Sequence, residues 1–123
     1  MHRYKNLEVW KKSRVLVQQV YAISKHFPDF ERYGLSSQIQ RATISVSVNI
    51  AEGTGRGTSK AFAQHLEIAY ASSLEIECLL ILANDLAYIK ENQLDEMIQM
   101  IQEIQKMLHS LRQTILNQST AVK

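Results

Sequence analysis

Between Leu94 and Ile115 the chain sets an apolar residue at every third or fourth position without a break: Leu94, Met97, Ile101, Ile104, Leu108, Leu111 and Ile115. Alternating steps of three and four place these side chains on one narrow stripe of an α-helix, the seam of coiled-coil-like packing. Such a stripe needs other helices to cover it. The spacing therefore predicts a helix over about 93–118 inside a bundle, with the terminal "STAVK" fraying beyond it. Only one proline, Pro28, and four glycines occur in 123 residues, so the punctuation of strands and hairpins is nearly absent. A chain of this length is one domain's worth, residues 1–123, and typically buries about two-thirds of the surface its unfolded form exposes.

Three more helices follow from the same period. The first is expected over about 7–26, with Asn6 as N-cap and Val9, Trp10, Leu16, Val17, Val20, Tyr21, Ile23 and Phe27 on one broad side. Opposite lies a basic stripe, Lys11, Arg14, Gln18 and Lys25, flanked by Lys12 and Gln19. The second is expected over about 36–53, stopped by Gly53. It carries two apolar faces, Leu35, Ile39, Ala42, Val46 and Ile50 on one side and Ile44, Val48 and Ala51 on another, with Arg41, Ser45, Asn49 and Glu52 between them. The third, over about 59–88, is apolar nearly all round. Phe62, Leu66, Ala69, Ile76, Leu80 and Ala83 make one face, Ile68, Leu79, Leu82 and Leu86 a second, and Tyr70, Leu74 and Ile81 complete the circle. One apolar face suffices for a monomeric bundle, so the additional faces point to burial against another chain. Glu75 falls among the second set, and Arg41 is its expected partner, because an unpaired buried carboxylate is strongly unfavourable. Short links between helices favour an all-α, antiparallel up-down-up-down left-handed four-helix bundle.

Charge is unevenly divided. Residues 1–60 carry +6 and residues 61–123 carry −4, within a net charge of +2. Two readings stand: a basic region that meets a polyanion, or two halves that complement each other across helix contacts. No apolar run approaches the ~18 residues of a membrane span, so no membrane role is expected. A lone Cys78 and an N-terminus without a long apolar stretch point to the cytoplasm.

Catalytic patterns are missing. A diiron bundle needs Glu-x-x-His, but Phe62 stands three before His65 and Lys106 three before His109, and no His-Glu-x-x-His run occurs. Cys78, on a helix in apolar company, reads as a structural thiol. No enzyme activity, metal or cofactor is expected.

The stretch "NIAEGTGRGTSK", Asn49 to Lys60, invites comparison with phosphate loops. It lacks the Gly-Lys-Ser/Thr order of a Walker loop, follows a helix instead of a strand, and has Thr58 where a dinucleotide fingerprint needs its third glycine. Its glycines read as a stop at Gly53 and a turn at Gly55 and Gly57, with Thr58 or Ser59 capping the next helix. Arg56 and Lys60, beside that helix N-terminus, suit one phosphate of a polymer.

The stretch "FPDFERYGLSSQIQRATISVSVNIAEGTGR", preceded by "NLEVWKKS" and followed by "AFAQHLEIAYASSLEIECLLILANDLAYI", resembles the bacterial four-helix-bundle proteins encoded in intervening sequences of 23S ribosomal RNA genes. The resemblance implies a homopentameric barrel without established enzymatic activity and with a suspected association with RNA. More distantly the family is similar to the accessory variability protein of diversity-generating retroelements, a basic pentamer that works with a reverse transcriptase and nucleic acid. The family's motif positions fall here on Gln38, Arg41, Ser45, Asn49, Glu52, Gly53, Arg56, Ser72 and Glu75. Ser47 stands where many members have proline, and Ala71 replaces a frequent glycine. The polar motif residues either satisfy one another as an internal network or bind a ligand.

The resulting expectation is a non-enzymatic bundle that assembles with itself, as a pentamer by resemblance, and binds RNA or DNA through backbone phosphates. Its candidate contacts are Arg3, Lys5, Lys11, Lys12, Arg14, Lys25, Arg56 and Lys60, and few exposed aromatics imply weak sequence preference. The rival expectation is a scaffold that binds a protein partner and no nucleic acid.

Overall fold

The structure, a computed structural model, describes residues 3–121, with side chains described over 3–118. Four helices account for most of it: α1 Glu8–Ser24, α2 Leu35–Thr54, α3 Ser59–Asp85 and α4 Glu91–Ala121. Short 3-10 turns, Tyr4–Asn6 and Asp29–Glu31, precede α1 and α2, and no strand occurs among the described residues. Each boundary has a local cause. Asn6 lies within the first turn instead of capping α1, whose N-cap is Leu7 without a side-chain bond. α2 continues through Gly53 to Thr54, and no glycine adopts positive φ, so Gly53 does not stop the helix.

Thr58 caps α3 by accepting the Ala61 N–H at 3.1 Å. α3 ends at Asp85, short of the expected Tyr88, because Ala87 turns left-handed at φ 64° and the Tyr88 N–H closes back on the Ala83 carbonyl at 2.9 Å. α4 begins two residues earlier than the seam alone indicates. Gln93 Oε1 accepts the Lys90 N–H at 2.9 Å, a side-chain cap for the incoming turn. The C-terminal fraying expected for "STAVK" bears partly on Val122 and Lys123, outside the described residues; the helix itself continues to Ala121.

Hydrogen bonds and one ion pair between helices give the register. Ser47 and Gln40 of α2 meet Ser13 and Ser24 of α1; Ser45 and Asn49 meet Ser72 and His65 of α3; Glu67 and Glu77 of α3 meet Arg112 and Gln105 of α4. In each pair the residue number falls on one helix as it rises on the other. The predicted seam of α4 fills the middle: Leu94, Met97, Ile101, Ile104, Leu108 and Ile115 are buried, with Leu111 packed at the edge. They meet Leu16 and Val20 of α1, Ile39, Val46 and Ile50 of α2, and Leu66, Ile76 and Leu80 of α3 in one core cluster.

The extra faces behave differently. On α2, Ile44 and Val48 stay 42% and 43% exposed, and on α3 Ile68, Leu74, Ile81, Leu82 and Leu86 are 44–54% exposed, while Leu79 turns inward. Cys78 is exposed among them, so it is not the buried structural thiol its apolar neighbours imply.

Candidate functional site

Two groups of side chains stand out, a polar seam between α2 and α3 and a set of cations at one end of the bundle. The seam begins with Gly53. A Cβ there would lie 2.8 Å from Phe62 Cδ1 and 3.0 Å from His65 Cβ, so glycine is what allows α3 to come this close to α2. His65 is thereby carried against Asn49. Its Nδ1 lies 3.0 Å from Asn49 Oδ1, and the Arg56 Nε–H donates to its Nε2 at 2.9 Å. Since Nε2 accepts, the proton of a neutral ring sits on Nδ1 and is donated to Asn49.

Asn49 passes the polarity on. Its Nδ2 donates to the Ser45 carbonyl at 2.9 Å and to Ser45 Oγ at 3.1 Å, and the Ser72 hydroxyl donates to Ser45 Oγ at 2.9 Å. Glu52 stands 4.0 Å from His65 Nδ1. Donors and acceptors match at every step, so Ser45, Asn49, Ser72, His65 and Arg56 act as one bonded chain across the α2/α3 contact. His65, absent from the motif positions, is its central member. Only the i, i+4 spacing of Ser45 and Asn49 hinted that a third polar group must meet them.

Arg41 and Glu75 do not complete this chain. Both are exposed, no ion pair joins them, and Glu75 instead accepts from Gln38 Nε2 at 3.4 Å. The outward placement of Ile68, Leu82 and Leu86 removes the need for a buried partner. A second α2 contact explains the absence of proline at Ser47. The Ser13 hydroxyl is committed to the Trp10 carbonyl at 2.6 Å, so Ser47 is the donor in the 2.8 Å Ser13–Ser47 bond that ties α2 to α1.

The cations fall into three groups. Lys11 and Lys12 are engaged by carboxylates, Glu8 at 3.2 Å and Glu103 at 2.9 Å, and pairs this exposed are worth little in water. Arg14 lies over the Trp10 ring at 5.5 Å, and Tyr4 meets the same ring edge-on at 5.0 Å. That contact fastens the first 3-10 turn, with exposed Arg3 and Lys5 on either side of Tyr4, onto α1. The turn also packs on α2. Continued past Ser13–Ser47, the α1/α2 register sets Tyr4–Asn6 level with the end of α2. Arg3, Lys5, Arg56 and Lys60 thus share one end of the bundle with the N-terminus of α3, Lys11 lies about a turn further in, and Arg14 stands level with the middle of α2. Lys25 sits at the other end of α1, as its C-cap.

Beside Arg56 an open cavity of ≈ 340 Å³ is lined by Thr54, Gly57, Thr58, Ser59, Phe62 and Ile115, among others. No group of His, Cys, Asp and Glu that would hold a metal ion occurs among the described residues. None of their helices is long and apolar enough to cross a membrane.

The sequence model of the 23S rRNA-intervening sequence protein family matches residues 5–110. The chain belongs to that family. The match takes in the whole polar seam and every candidate cation except Arg3. A solved structure, described as a protein with unknown function from the S23 ribosomal protein family of Bacteroides thetaiotaomicron, is 27% identical and has a TM-score of 0.79. The similarity covers 85% of this chain and 97% of that one. No curated protein matches the chain.

Proposed function

We propose that this member of the intervening-sequence family is a non-enzymatic cytoplasmic protein that assembles with copies of itself and binds RNA or DNA through backbone phosphates. The observation that carries the reading is the placing of Arg3, Lys5, Arg56 and Lys60 at the end of the bundle where α3 begins, with Arg14 following along α1. Of the acidic residues near that end, Glu8 is paired with Lys11, and Glu52 stands 4.0 Å from His65 Nδ1. Self-association is supported by the exposure of Ile44, Val48, Ile68, Leu74, Ile81, Leu82 and Leu86 on α2 and α3, apolar side chains that a second copy would cover. The helix registers support an up-down-up-down bundle, with the left-handed sense usual for such packing.

A homopentamer, the state the resemblance implies, would repeat the basic end five times, so that modest charge per chain becomes a polyvalent surface. The polar chain through His65 is then structural: it fixes α3 on α2 and holds Arg56 at the rim.

Titration of a labelled structured RNA at about 50 and 200 mM salt tests the binding half, and light scattering tests assembly. Affinity should fall steeply with salt, and a double charge reversal, Arg3→Glu with Lys5→Glu, should weaken it and flatten the salt slope. An Ile68→Glu substitution should lower the mass. Absence of binding at both salt concentrations, with assembly intact, would favour the rival scaffold.

A further inference from the structure

The loop between α1 and α2 carries the two most exposed large hydrophobic side chains among the described residues, Phe30 at 80% and Tyr33 at 87%. An aromatic ring left so open is normally a product of a mobile loop, but this loop is held at several points. Phe27 is buried in the core and lies 5.6 Å from the Tyr88 ring, and Phe30 meets that same ring edge-on at 6.5 Å. Glu31 is the hub: its Oε1 accepts the Leu35 N–H at 3.1 Å, its Oε2 accepts the Tyr88 hydroxyl at 2.8 Å, and a Cβ at Gly34 would come within 2.8 Å of Oε1. The rings are therefore presented on a fixed base. Arg32 covers one side of Tyr33 at 5.5 Å and leaves the other open.

We propose that this loop is a stacking platform for unpaired nucleobases, with Phe30 and Tyr33 supplying the rings and Lys25 and Arg32 the phosphate contacts. The inference rests on the nucleic-acid reading above and adds to it a strand type and a second site. Aromatic faces accept any base, and a cation held beside them meets the adjoining phosphate. Glu31 keeps its charge but turns its carboxylate to the Leu35 N–H and the Tyr88 hydroxyl, and Asp29 is the loop's other acid. Lys25 also ends the α1 stripe that Arg14 shares. The rise from Arg14 to Lys25, about 17 Å at 1.5 Å per residue, matches roughly three nucleotides of an extended strand. A single strand whose phosphates follow α1 thus arrives at the open rings, whereas a duplex keeps its bases stacked and gains nothing there.

The test is fluorescence anisotropy of a labelled 12-nucleotide RNA, alone and annealed to its complement, on the full chain and on Phe30→Ala, Tyr33→Ala and Tyr33→Trp, with light scattering of each. Each alanine should weaken single-strand binding about tenfold and leave duplex binding nearly unchanged, Tyr33→Trp should retain it, and the mass should stay constant. Wild-type single-strand affinity that survives both alanine changes would overturn the platform while leaving phosphate binding in place. Loss of mass in the alanine variants would overturn it differently, by making the loop a contact between copies. No binding of either RNA by the wild-type chain would remove the underlying reading as well.

Discussion

Replacing Gly53 by alanine sets two effects of opposite sign against each other. Alanine is the better helix former, by about 1 kcal/mol in a helix interior and less here, one residue from the end of α2. Against it stand the distances its Cβ would have: 2.8 Å and 3.2 Å to Phe62 Cδ1 and Cε1, and 3.0 Å to His65 Cβ. Carbon atoms rest at about 3.5–4.0 Å, so the new methyl intrudes by up to roughly 1 Å. Phe62 is buried in the core cluster, so moving its ring means repacking its neighbours, and His65 Cβ moves only with the α3 backbone. Overpacking of this kind costs about 1–3 kcal/mol, and the loss of the His65–Asn49 and Arg56–His65 bonds as α3 shifts adds to it. The helix-propensity gain does not offset that.

A net loss of about 1–2 kcal/mol corresponds to a drop in Tm of roughly 3–10 °C for a chain of this size. Thermal and urea unfolding followed by circular dichroism would read it, with all variants at one protein concentration, since assembly makes Tm concentration-dependent. Gly57→Ala is the internal control: nothing lies within 4 Å of its would-be Cβ and its φ is not positive, so it should stabilise by about 0.4–1 kcal/mol. A Gly53→Ala protein as stable as the parent would refute the close-approach argument.

Three further outcomes are expected. Thr43 is fully buried with its hydroxyl unbonded, so Thr43→Val, which keeps the shape and removes the desolvated group, should stabilise by about 1–2 kcal/mol in the same unfolding assay. Ala87 pays for a left-handed backbone at φ 64°, and Ala87→Gly should raise stability by about 0.5–1 kcal/mol; a lowered urea midpoint would count against the turn described after α3. The hydrogen bond to Glu31, followed by burial and the nearby Glu31 charge, holds the Tyr88 phenol above its ordinary 10.0. The folded state then binds the proton more tightly than the unfolded state, so this stabilisation is complete below pH 10.0 and is lost as pH rises beyond it. Tyr88→Phe should be less stable at neutral pH and show a shallower alkaline decline, which unfolding curves across pH 8–11.5 would reveal.

The site was legible in the sequence in unequal parts. Ser45 and Asn49 could be placed on one stripe of α2 by counting and Ser72 on α3 by the family resemblance, and Ser72 does bond to Ser45 across the α2/α3 contact. Arg41 and Glu75 were matched by the same counting and do not pair, because a wheel gives the direction of a side chain and not which neighbour it reaches: Gln38 lies closer to hand. His65 escaped notice as it belongs to no metal or catalytic spacing; its role exists only once α3 is laid on α2. Gly53 read as a helix stop, since glycine after an apolar turn is the common one, whereas its function is clearance for Phe62 and His65. The few exposed aromatics expected from composition likewise gave no warning of Phe30 and Tyr33, whose exposure depends on how Glu31 and Tyr88 anchor their loop.

What the chain determined by itself is periodic: four helices, the α4 seam, the core-facing stripes and the surplus apolar faces of α2 and α3. These follow from a fixed 100° turn per residue acting on the order of side chains, and no partner is needed to count them. Tertiary structure decided which stripes are covered, which cations are held by carboxylates, and which polar groups share a proton. Those depend on the register and separation of neighbouring helices, set at places such as Gly53 by the room that one methyl group would take, and helical periodicity carries no record of either.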